Sequence, residues 1–188
     1  MIETARLVLR PPEQRDLAFV LAEINTPGMM RYLGGKLRSA DEVVEGVAAD
    51  IAAFANGTWR RWTVFRREDD CPIGRVGLFV VRPPAAPAEL QGQNEIGWMV
   101  AQRHQCQGYA TEAARAVLDH GFAQLEFPVI YAQTSDSNPE SSRMMARLGL
   151  ERYPAFDYVD PDYPAGDNPT TVYRMTRDAW GHNRNEVT

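Results

Sequence analysis

The stretch HQCQGYATEAARAVLDHG, residues 104–121, places a glycine just ahead of apolar residues that recur every three or four positions. That spacing is typical of a helix with one buried face. Gly108 therefore stands where a loop becomes a helix, and the first backbone amides of a helix have no acceptors within it. No lysine or arginine lies between His104 and Glu112. The segment predicts a helix start that offers backbone amides, rather than charged side chains, to an anion.

The segments on either side of this helix both have the composition of strands. NEIGWMV, residues 94–100, alternates its side chains between two faces, with Glu95 and Met99 on the same one. PVIYAQT, residues 128–134, begins with a nearly continuous apolar run, which indicates a strand buried on both faces. A strand, a helix and a second strand in this order predict a crossover connection at the centre of a sheet.

The remaining elements complete one layered domain. Strands are predicted at 5–10, 61–67, 72–81, 153–159 and 171–176, helices at 16–24, 39–54 and 139–148, and a proline-rich loop at 83–93. The order predicts an α/β (α+β) fold with a mixed central sheet of about seven strands flanked by about four helices. We expect a single domain over 1–188, with a peripheral C-terminal tail from about residue 179.

The composition of the chain limits the classes of partner that it can bind. The formal net charge is -5 and 44% of residues are hydrophobic, which argues against a nucleic-acid surface and favours an amine-bearing partner. Two cysteines and three scattered histidines, His104, His120 and His182, have no metal-ligand spacing. Charges interrupt every apolar run near the amino terminus, and no window reaches the roughly 18 apolar residues of a membrane span. We therefore expect a soluble, cytoplasmic protein with no metal.

Two familiar phosphate-binding loops do not match the helix start. A nucleotide P-loop ends in Gly-Lys-Ser/Thr, and the dinucleotide fingerprint needs three spaced glycines, whereas the spacing here is Gln105-x-x-Gly108-x-Ala110. Gly108 allows close backbone approach, Ala110 leaves room for a ligand, and Thr111 adds a hydroxyl. The alternative is an ordinary turn from strand to helix that binds nothing.

Together with the preceding strand and the downstream NPESSRMMARLGL, residues 138–150, this segment resembles the acetyl-CoA motif of the GNAT N-acetyltransferase superfamily, Gln/Arg-x-x-Gly-x-Gly/Ala. The opening TARLVLRPP, residues 4–12, resembles the first strand of the branch that contains the ribosomal-protein N-terminal acetyltransferases. Two positions depart from the branch pattern. Cys106 stands where a glycine is usual, and Ala101-Gln102 replaces a common Asp-Pro. A non-glycine residue resists positive φ, so Cys106 puts the tightness of the loop in question.

The resemblance implies acetyl-CoA as co-substrate, bound where the fourth and fifth strands of a GNAT fold splay apart, which are residues 94–100 and 128–134 here. Backbone groups of Met99 and Val100 would pair with the pantetheine amides, the amides from Gln105 to Thr111 would take the pyrophosphate, and Asn138 would bond the pantetheine arm. The implied cofactor-binding residues are Trp98, Met99, Val100, Gln105, Cys106, Gln107, Gly108, Tyr109, Ala110, Thr111 and Asn138.

The resemblance also implies direct transfer of the acetyl group to a primary amine of a protein N-terminus, a peptide or a small molecule. Glu95 is the candidate base that deprotonates the amine, and Ser141 is the candidate proton donor to the departing CoA thiolate. Each residue also has a structural interpretation. Glu95 can be a solvated strand residue, while Ser141 and Asn138 can cap the helix that follows them.

Two other functions fit the same sequence. One is an acyltransferase for a small molecule such as an antibiotic or a polyamine. The other is a CoA-sensing or structural module without turnover, which the cysteine in the loop and the uncertain base both allow. By analogy with the superfamily, a homodimer is a candidate assembly.

Overall fold

The computed structural model describes residues 1–185 and forms one mixed sheet of eight strands. The strands are β1 (Ile2–Glu3), β2 (Leu7–Arg10), β3 (Arg61–Arg66), β4 (Cys71–Val80), β5 (Asn94–Val100), β6 (Val129–Ser135), β7 (Glu151–Arg152) and β8 (Thr170–Thr176), in the spatial order β1-β2-β3-β4-β5-β6-β8-β7. The helices are α1 (Leu17–Phe19), continued by a π turn (Val20–Ile24), α2 (Pro27–Met30), α3 (Ala40–Ala55), α4 (Tyr109–Ala123), α5 (Pro139–Leu148) and α6 (Arg177–Asn185). The predicted fold class is confirmed.

One predicted strand is wrong. Residues 153–159 do not form a continuous strand, because a 3-10 turn (Pro154–Phe156) follows β7, and only one bridge, from Tyr158 to Thr170, joins the segment to β8. Proline has no N–H to give to a ladder. The carboxylate of Asp157 takes the place of a backbone acceptor, since its Oδ1 receives the backbone N–H of Val172 at 2.9 Å.

The chain divides into two compact units, residues 1–78 with 97–117 and residues 79–96 with 118 onward. The first unit contains the antiparallel strands β1 to β3. Its core cluster consists of Phe19, Val20, Ile24, Val43, Val47 and Ala101. Helix α3 begins at a capping box in which Ser39 Oγ accepts the Glu42 amide at 3.2 Å and Glu42 Oε2 accepts the Ser39 amide at 2.7 Å. The cap fixes where the helix starts and hence which face it buries.

In the second unit, β6 runs antiparallel to β8 and parallel to β5, with Glu95 opposite Tyr131. Helix α5 has the predicted boundaries: Asn138 Oδ1 accepts the Ser141 amide at 3.2 Å, and Gly149 ends the helix at φ 82°. The core cluster here is Val81, Ala86, Leu90, Tyr131 and Val172.

The C-terminal segment that we expected to be peripheral contains helix α6. Trp180 is buried, packs against Phe122 and donates its indole N–H to Asp119 Oδ1 at 2.9 Å. His182 lies in this helix, not in a frayed tail. The rest of the predicted tail, residues 186–188, lies outside the described residues. Within residues 1–185, no helix has the length and apolar content to span a bilayer.

Candidate active site

The loop before α4 exposes a run of unpaired backbone donors. Cys106 and Gly108 both have left-handed backbones, at φ 58° and 81°. The first helical hydrogen bond is the one from the Glu112 amide to the Gly108 carbonyl, at 3.0 Å. The predicted run of free amides starts one residue later than expected, because the Gln105 amide donates to the Gln102 carbonyl at 3.2 Å. Among residues 1–185, no protein acceptor bonds the backbone amides of residues 106–111. Every one of these N–H groups is therefore available to a ligand, at the positive end of the helix dipole.

An arginine that sequence reasoning missed reaches this helix start from the first strands. Arg6 donates through Nε to Glu112 Oε2 at 2.7 Å and through Nη1 to the Gln107 carbonyl at 3.1 Å, and it stacks over the Tyr109 ring. The segment itself contains no lysine or arginine, so the cation beside the loop comes from a distant part of the chain. Arg6 and Glu112 lie 106 residues apart in the chain, so no local pattern indicates their contact. The sequence shows only that an arginine is present in the first predicted strand.

The same arginine neutralises the acidic residue in the first turn of α4. Burial alone would raise the pKa of Glu112, but hydrogen bonds from Thr4, the Arg6 backbone and the Arg6 side chain outweigh it, so the pKa is lowered. Thr4 Oγ1 donates to Glu112 Oε1 at 2.6 Å. The carboxylate is thus ionised but compensated, and it adds little repulsion against an anion at the helix start.

Gln105 ties the loop to the end of β5. Its side-chain Nε2 donates to the Val100 carbonyl at 2.8 Å, so the amide group of the predicted ligand residue serves a structural contact. The other glutamine of the loop does the same, since Gln107 Nε2 donates to the Arg103 carbonyl at 3.3 Å. The side chains hold the shape of the loop, and the backbone is left for binding.

Close packing of β4 fixes the position of Met99 and Val100. A Cβ added to Gly74 would lie 2.5 Å from the Met99 carbonyl oxygen and 3.1 Å from the Val100 Cα, so only glycine fits there. The Ala101 amide donates to the Ile73 carbonyl at 2.9 Å and anchors the end of the strand. Val100 is buried, and Trp98 and Met99 are half-buried.

In the second unit, Glu95 lies at the end of a hydrogen-bonded chain of three side chains. Gln133 Nε2 donates to Glu95 Oε2 at 2.5 Å, and Tyr158 Oη donates to Gln133 Oε1 at 2.9 Å. Burial raises the pKa of Tyr158, and the charges of Asp160 and Glu95 raise it further, so the phenol keeps its proton. Tyr158 thereby fixes the amide of Gln133 with its NH₂ group toward the carboxylate.

Asn138 and Ser141 form the cap of α5, as the structural interpretation predicted. Besides accepting the Ser141 amide, Asn138 donates through Nδ2 to Ser141 Oγ at 3.2 Å. The serine oxygen accepts this bond, and its own O–H proton remains available to donate. Their roles toward CoA remain predictions.

The left-handed backbone of Cys106 should lower the stability of the protein. A left-handed backbone costs a non-glycine residue about 1–2 kcal/mol, partly offset because glycine loses more entropy on folding. Cys106→Gly should therefore raise the free energy of unfolding by about 0.5–1 kcal/mol, or about 2–3 °C in Tm, with CoA affinity unchanged. Chemical and thermal unfolding measure this. Cys106→Ala, which removes the thiol but keeps the strain, is the matched control and should not change Tm. A stabilised alanine variant would show that the thiol, not φ, is the cause.

A profile of the family described as "Acetyltransferase (GNAT) domain" matches residues 6–151, more than three quarters of the chain. The chain belongs to the GNAT acetyltransferase family. It is accordingly an N-acetyltransferase, an acyltransferase of a family that uses acetyl-CoA and typically acts on amine-bearing acceptors. The superfamily resemblance and the enzyme class are confirmed.

Curated GNAT relatives match along most of the chain. It is 30% identical over 159 residues to YnaD of Bacillus subtilis (strain 168), named an uncharacterized N-acetyltransferase, with 80% of this chain and 82% of the relative covered. It is 26% identical over 191 residues to an Aspergillus fumigatus protein named FsC-acetyl coenzyme A-N(2)-transacetylase, with 95% and 77% covered.

Solved GNAT structures share the fold. An acetyltransferase of the GNAT family from Bacillus anthracis superposes with a TM-score of 0.76 at 20% identity, covering 94% of this chain and 98% of that one. A Vibrio cholerae structure, titled as a candidate ribosomal-protein-serine acetyltransferase, has a TM-score of 0.69 at 19% identity and covers 93% and 96%. At these identities the likeness concerns the fold alone.

Proposed function

We propose that this GNAT chain transfers an acetyl group directly from acetyl-CoA to a primary amine and holds the cofactor's pyrophosphate on the backbone amides of residues 106–111. The observation that carries the proposal is the unbroken run of backbone amides without protein acceptors at the start of α4. A diphosphate supplies several acceptor oxygens and negative charge, which is what these donors and the helix dipole favour.

Local charge supports the same assignment. Glu112 is the acidic residue in the first turn of the helix, and Arg6 pairs with it. Arg6 is half-exposed, so its guanidinium also adds positive potential beside the loop. The residues present therefore fit a diphosphate, and they do so without the lysine of a P-loop.

The end of β5 would hold the pantetheine and thioester part. Gly74 brings the backbone of β4 against Met99 and Val100 and keeps this strand end rigid. A rigid backbone N–H aimed at the thioester oxygen stabilises the negative charge that develops there during attack, because it needs no reorganisation. Acetyl-CoA supplies the activated acetyl group, and the chain supplies position and donors.

Glu95 is our candidate for the base. The amide NH₂ that Gln133 presents to it matches the ionised form of a carboxylate, which is the form that accepts a proton. Tyr158 locks this amide orientation, so Gln133 and Tyr158 act as positioning residues. Ser141, whose oxygen already accepts a bond from Asn138, would give its proton to the CoA thiolate.

The branch within the superfamily stays a proposal. The Vibrio cholerae structure resembles this chain in fold only. The opening segment TARLVLRPP supports the ribosomal-protein branch through its sequence pattern.

The proposal is tested by release of free CoA thiol from acetyl-CoA in the presence of a library of primary amines. We expect turnover on at least one amine and a loss of about 10²-fold in Glu95→Gln at pH 7. That loss should shrink as the pH rises through the pKa of the amine, because an amine that is already neutral needs no base. Asp162→Asn, which removes an exposed carboxylate of the second unit, is the control for a general effect of charge.

The outcomes separate the alternatives. CoA binding with no turnover on any amine would support the sensor module. A Glu95→Gln defect that is the same at every pH would remove Glu95 as base but leave the transfer reaction in place.

A further inference from the structure

A small cavity in the first unit has an unusual wall. Its volume is about 40 Å³. Its lining residues are Val20, Ile24, Asn25, Met30, Leu33, Arg38, Val43, Gly46, Arg61, Arg75 and Met99. Most of the wall is apolar, and all of its ionisable groups are arginines. Met99 belongs to β5, the strand to which we assign the thioester, so the cavity adjoins the proposed reaction site.

The arginines outnumber the carboxylate that compensates them. Asp50 is fully buried and contacts Arg75 at 2.5 Å, Arg60 at 2.9 Å and Arg61 at 3.4 Å. One carboxylate therefore contacts three arginines. Asp16 also acts electrostatically on Arg75, but it is itself paired with Arg10 at 2.7 Å. Arg38, on the cavity rim, forms no ion pair with a carboxylate among residues 1–185, although its charge acts on the exposed carboxylate of Glu42, which accepts the Ser39 amide. The cluster keeps an excess positive charge, which an anion in the cavity would compensate.

One of these arginines also has a donor without an acceptor. Arg75 is only 6% exposed, and its Nε finds no hydrogen-bond partner within the described part of the chain. Asp50 contacts only the Nη2 atom of this guanidinium. An unpaired buried N–H is costly, and native proteins seldom leave one without a ligand, a water or a function. The Nε–H of an arginine is part of the planar fork that suits a carboxylate.

The pKa of Arg61 is consistent with such a site. Burial lowers its pKa to about 10, and although Asp50 raises it, the charges of the neighbouring arginines lower it further. The guanidinium is still protonated at neutral pH, but it is held among like charges. Binding of an anion would relieve that repulsion.

The volume limits the size of the anion. A buried water needs roughly 10–15 Å³ on this measure, so the cavity holds about three waters. A carboxylate has three heavy atoms and can replace them. The apolar residues on the wall favour a ligand whose carboxylate is attached to a hydrocarbon body.

We propose that the acceptor of this enzyme is an amino acid or a similar amine that carries a carboxylate, and that Arg75, Arg61 and Arg38 bind this carboxylate in the cavity. The inference rests on the proposed acetyl transfer and names its substrate class. It disfavours polyamines and aminoglycosides, because their additional ammonium groups would face the arginines.

The test compares acceptors that differ in the carboxylate alone. Thiol release from acetyl-CoA is measured for a panel of L-amino acids, each beside its amide and its decarboxylated amine. For the preferred side chain we expect kcat/KM to be at least about 10-fold higher for the free acid, mainly through KM. The amine of an amide is less basic and more often neutral, so chemistry alone would favour the amide. Phosphoethanolamine and ethanolamine form a further pair, which tests whether the cavity prefers a phosphate to a carboxylate.

Substitution of one arginine of the cavity tests whether the preference for a carboxylate arises there. Arg38 lies on the exposed rim, so Arg38→Met keeps the buried cluster intact. The variant should reduce the ratio of kcat/KM for the free acid to kcat/KM for the amide by about 3-fold or more. Arg15→Met removes another exposed arginine, one that does not line the cavity, and should leave the ratio of kcat/KM between acid and amide unchanged.

A readout without turnover separates this inference from the proposed function. The protein bound to CoA is titrated with 3-methylbutanoate and, separately, with its amide, which have no amine to acetylate. We expect a rise in Tm with the carboxylate only, and a smaller rise in Arg38→Met. Equal or faster turnover of the amides, preference for the phosphate, or no effect of the carboxylate on Tm would overturn the inference. Failure of CoA itself to bind would overturn the proposed function instead.

Discussion

Gly108→Trp should reduce CoA affinity by at least about 100-fold, or about 2.7 kcal/mol, while the protein stays folded. Gly108 lies in the middle of the unpaired amides and has φ 81°, and a Cβ there would meet only Arg6 Nη2, at 3.3 Å. The side chain of an arginine on the surface can move, so the substitution disturbs the fold little. The indole would fill the space beside the amides. Isothermal titration of CoA measures the loss.

The control for backbone strain is Gly57→Trp. Gly57 also has a left-handed backbone, at φ 70°, and has nothing within 4 Å of the added Cβ. Both substitutions pay a similar strain of about 1–2 kcal/mol in stability, but only the one at Gly108 should change CoA binding. Equal CoA affinity in wild type and Gly108→Trp would refute the assignment of the pyrophosphate to this loop.

Asp50→Asn should destabilise the protein by about 3–5 kcal/mol, because it leaves the charges of three arginines without their buried counter-ion. The side chains are nearly the same size, so the effect is electrostatic and does not come from a cavity. For a chain of this length the expected fall in Tm is about 10 °C or more. Thermal and urea unfolding measure it.

Glu45→Gln is the matched control for this prediction. It removes one carboxylate from the exposed face of the same helix, α3, and should change stability by no more than about 0.5 kcal/mol. If Asp50→Asn were as mild as Glu45→Gln, the buried arginines would not depend on Asp50. A mild effect would mean that Asp50 is not the main counter-ion of these arginines, and that the charge balance of the cavity differs from the one described above.

The sequence predicted those parts of the fold that local patterns determine. Helix α4 and strand β5 lie where their periodicity predicts them. Ser39 and Asn138 begin their helices and Gly149 ends one by cap chemistry that needs only a few neighbouring residues. The prediction of a strand at 153–159 was wrong because the carboxylate of Asp157 accepts the Val172 amide in place of a backbone carbonyl. The alternation of apolar residues in the sequence does not indicate such a side-chain bond.

The contacts that shape the site join residues far apart in the chain, and no local pattern indicates them. Arg6 meets Glu112 across the first unit, and Gln133 joins Glu95 to Tyr158 within the second. Of the arginines on Asp50, Arg61 and Arg75 lie on β3 and β4, and Arg60 immediately precedes β3. A charged residue in a strand is ordinarily expected to be exposed. Motif reasoning identified the backbone donors of the loop, whereas the side chains that set its charge required the folded chain.

The crystal structure of the protein with bound CoA tests the central claim most directly. We predict that pyrophosphate oxygens lie about 2.7–3.2 Å from several backbone nitrogens of residues 106–111, with Arg6 still paired to Glu112. A diphosphate bound elsewhere on the protein, with the amides before α4 facing only water, would contradict the account.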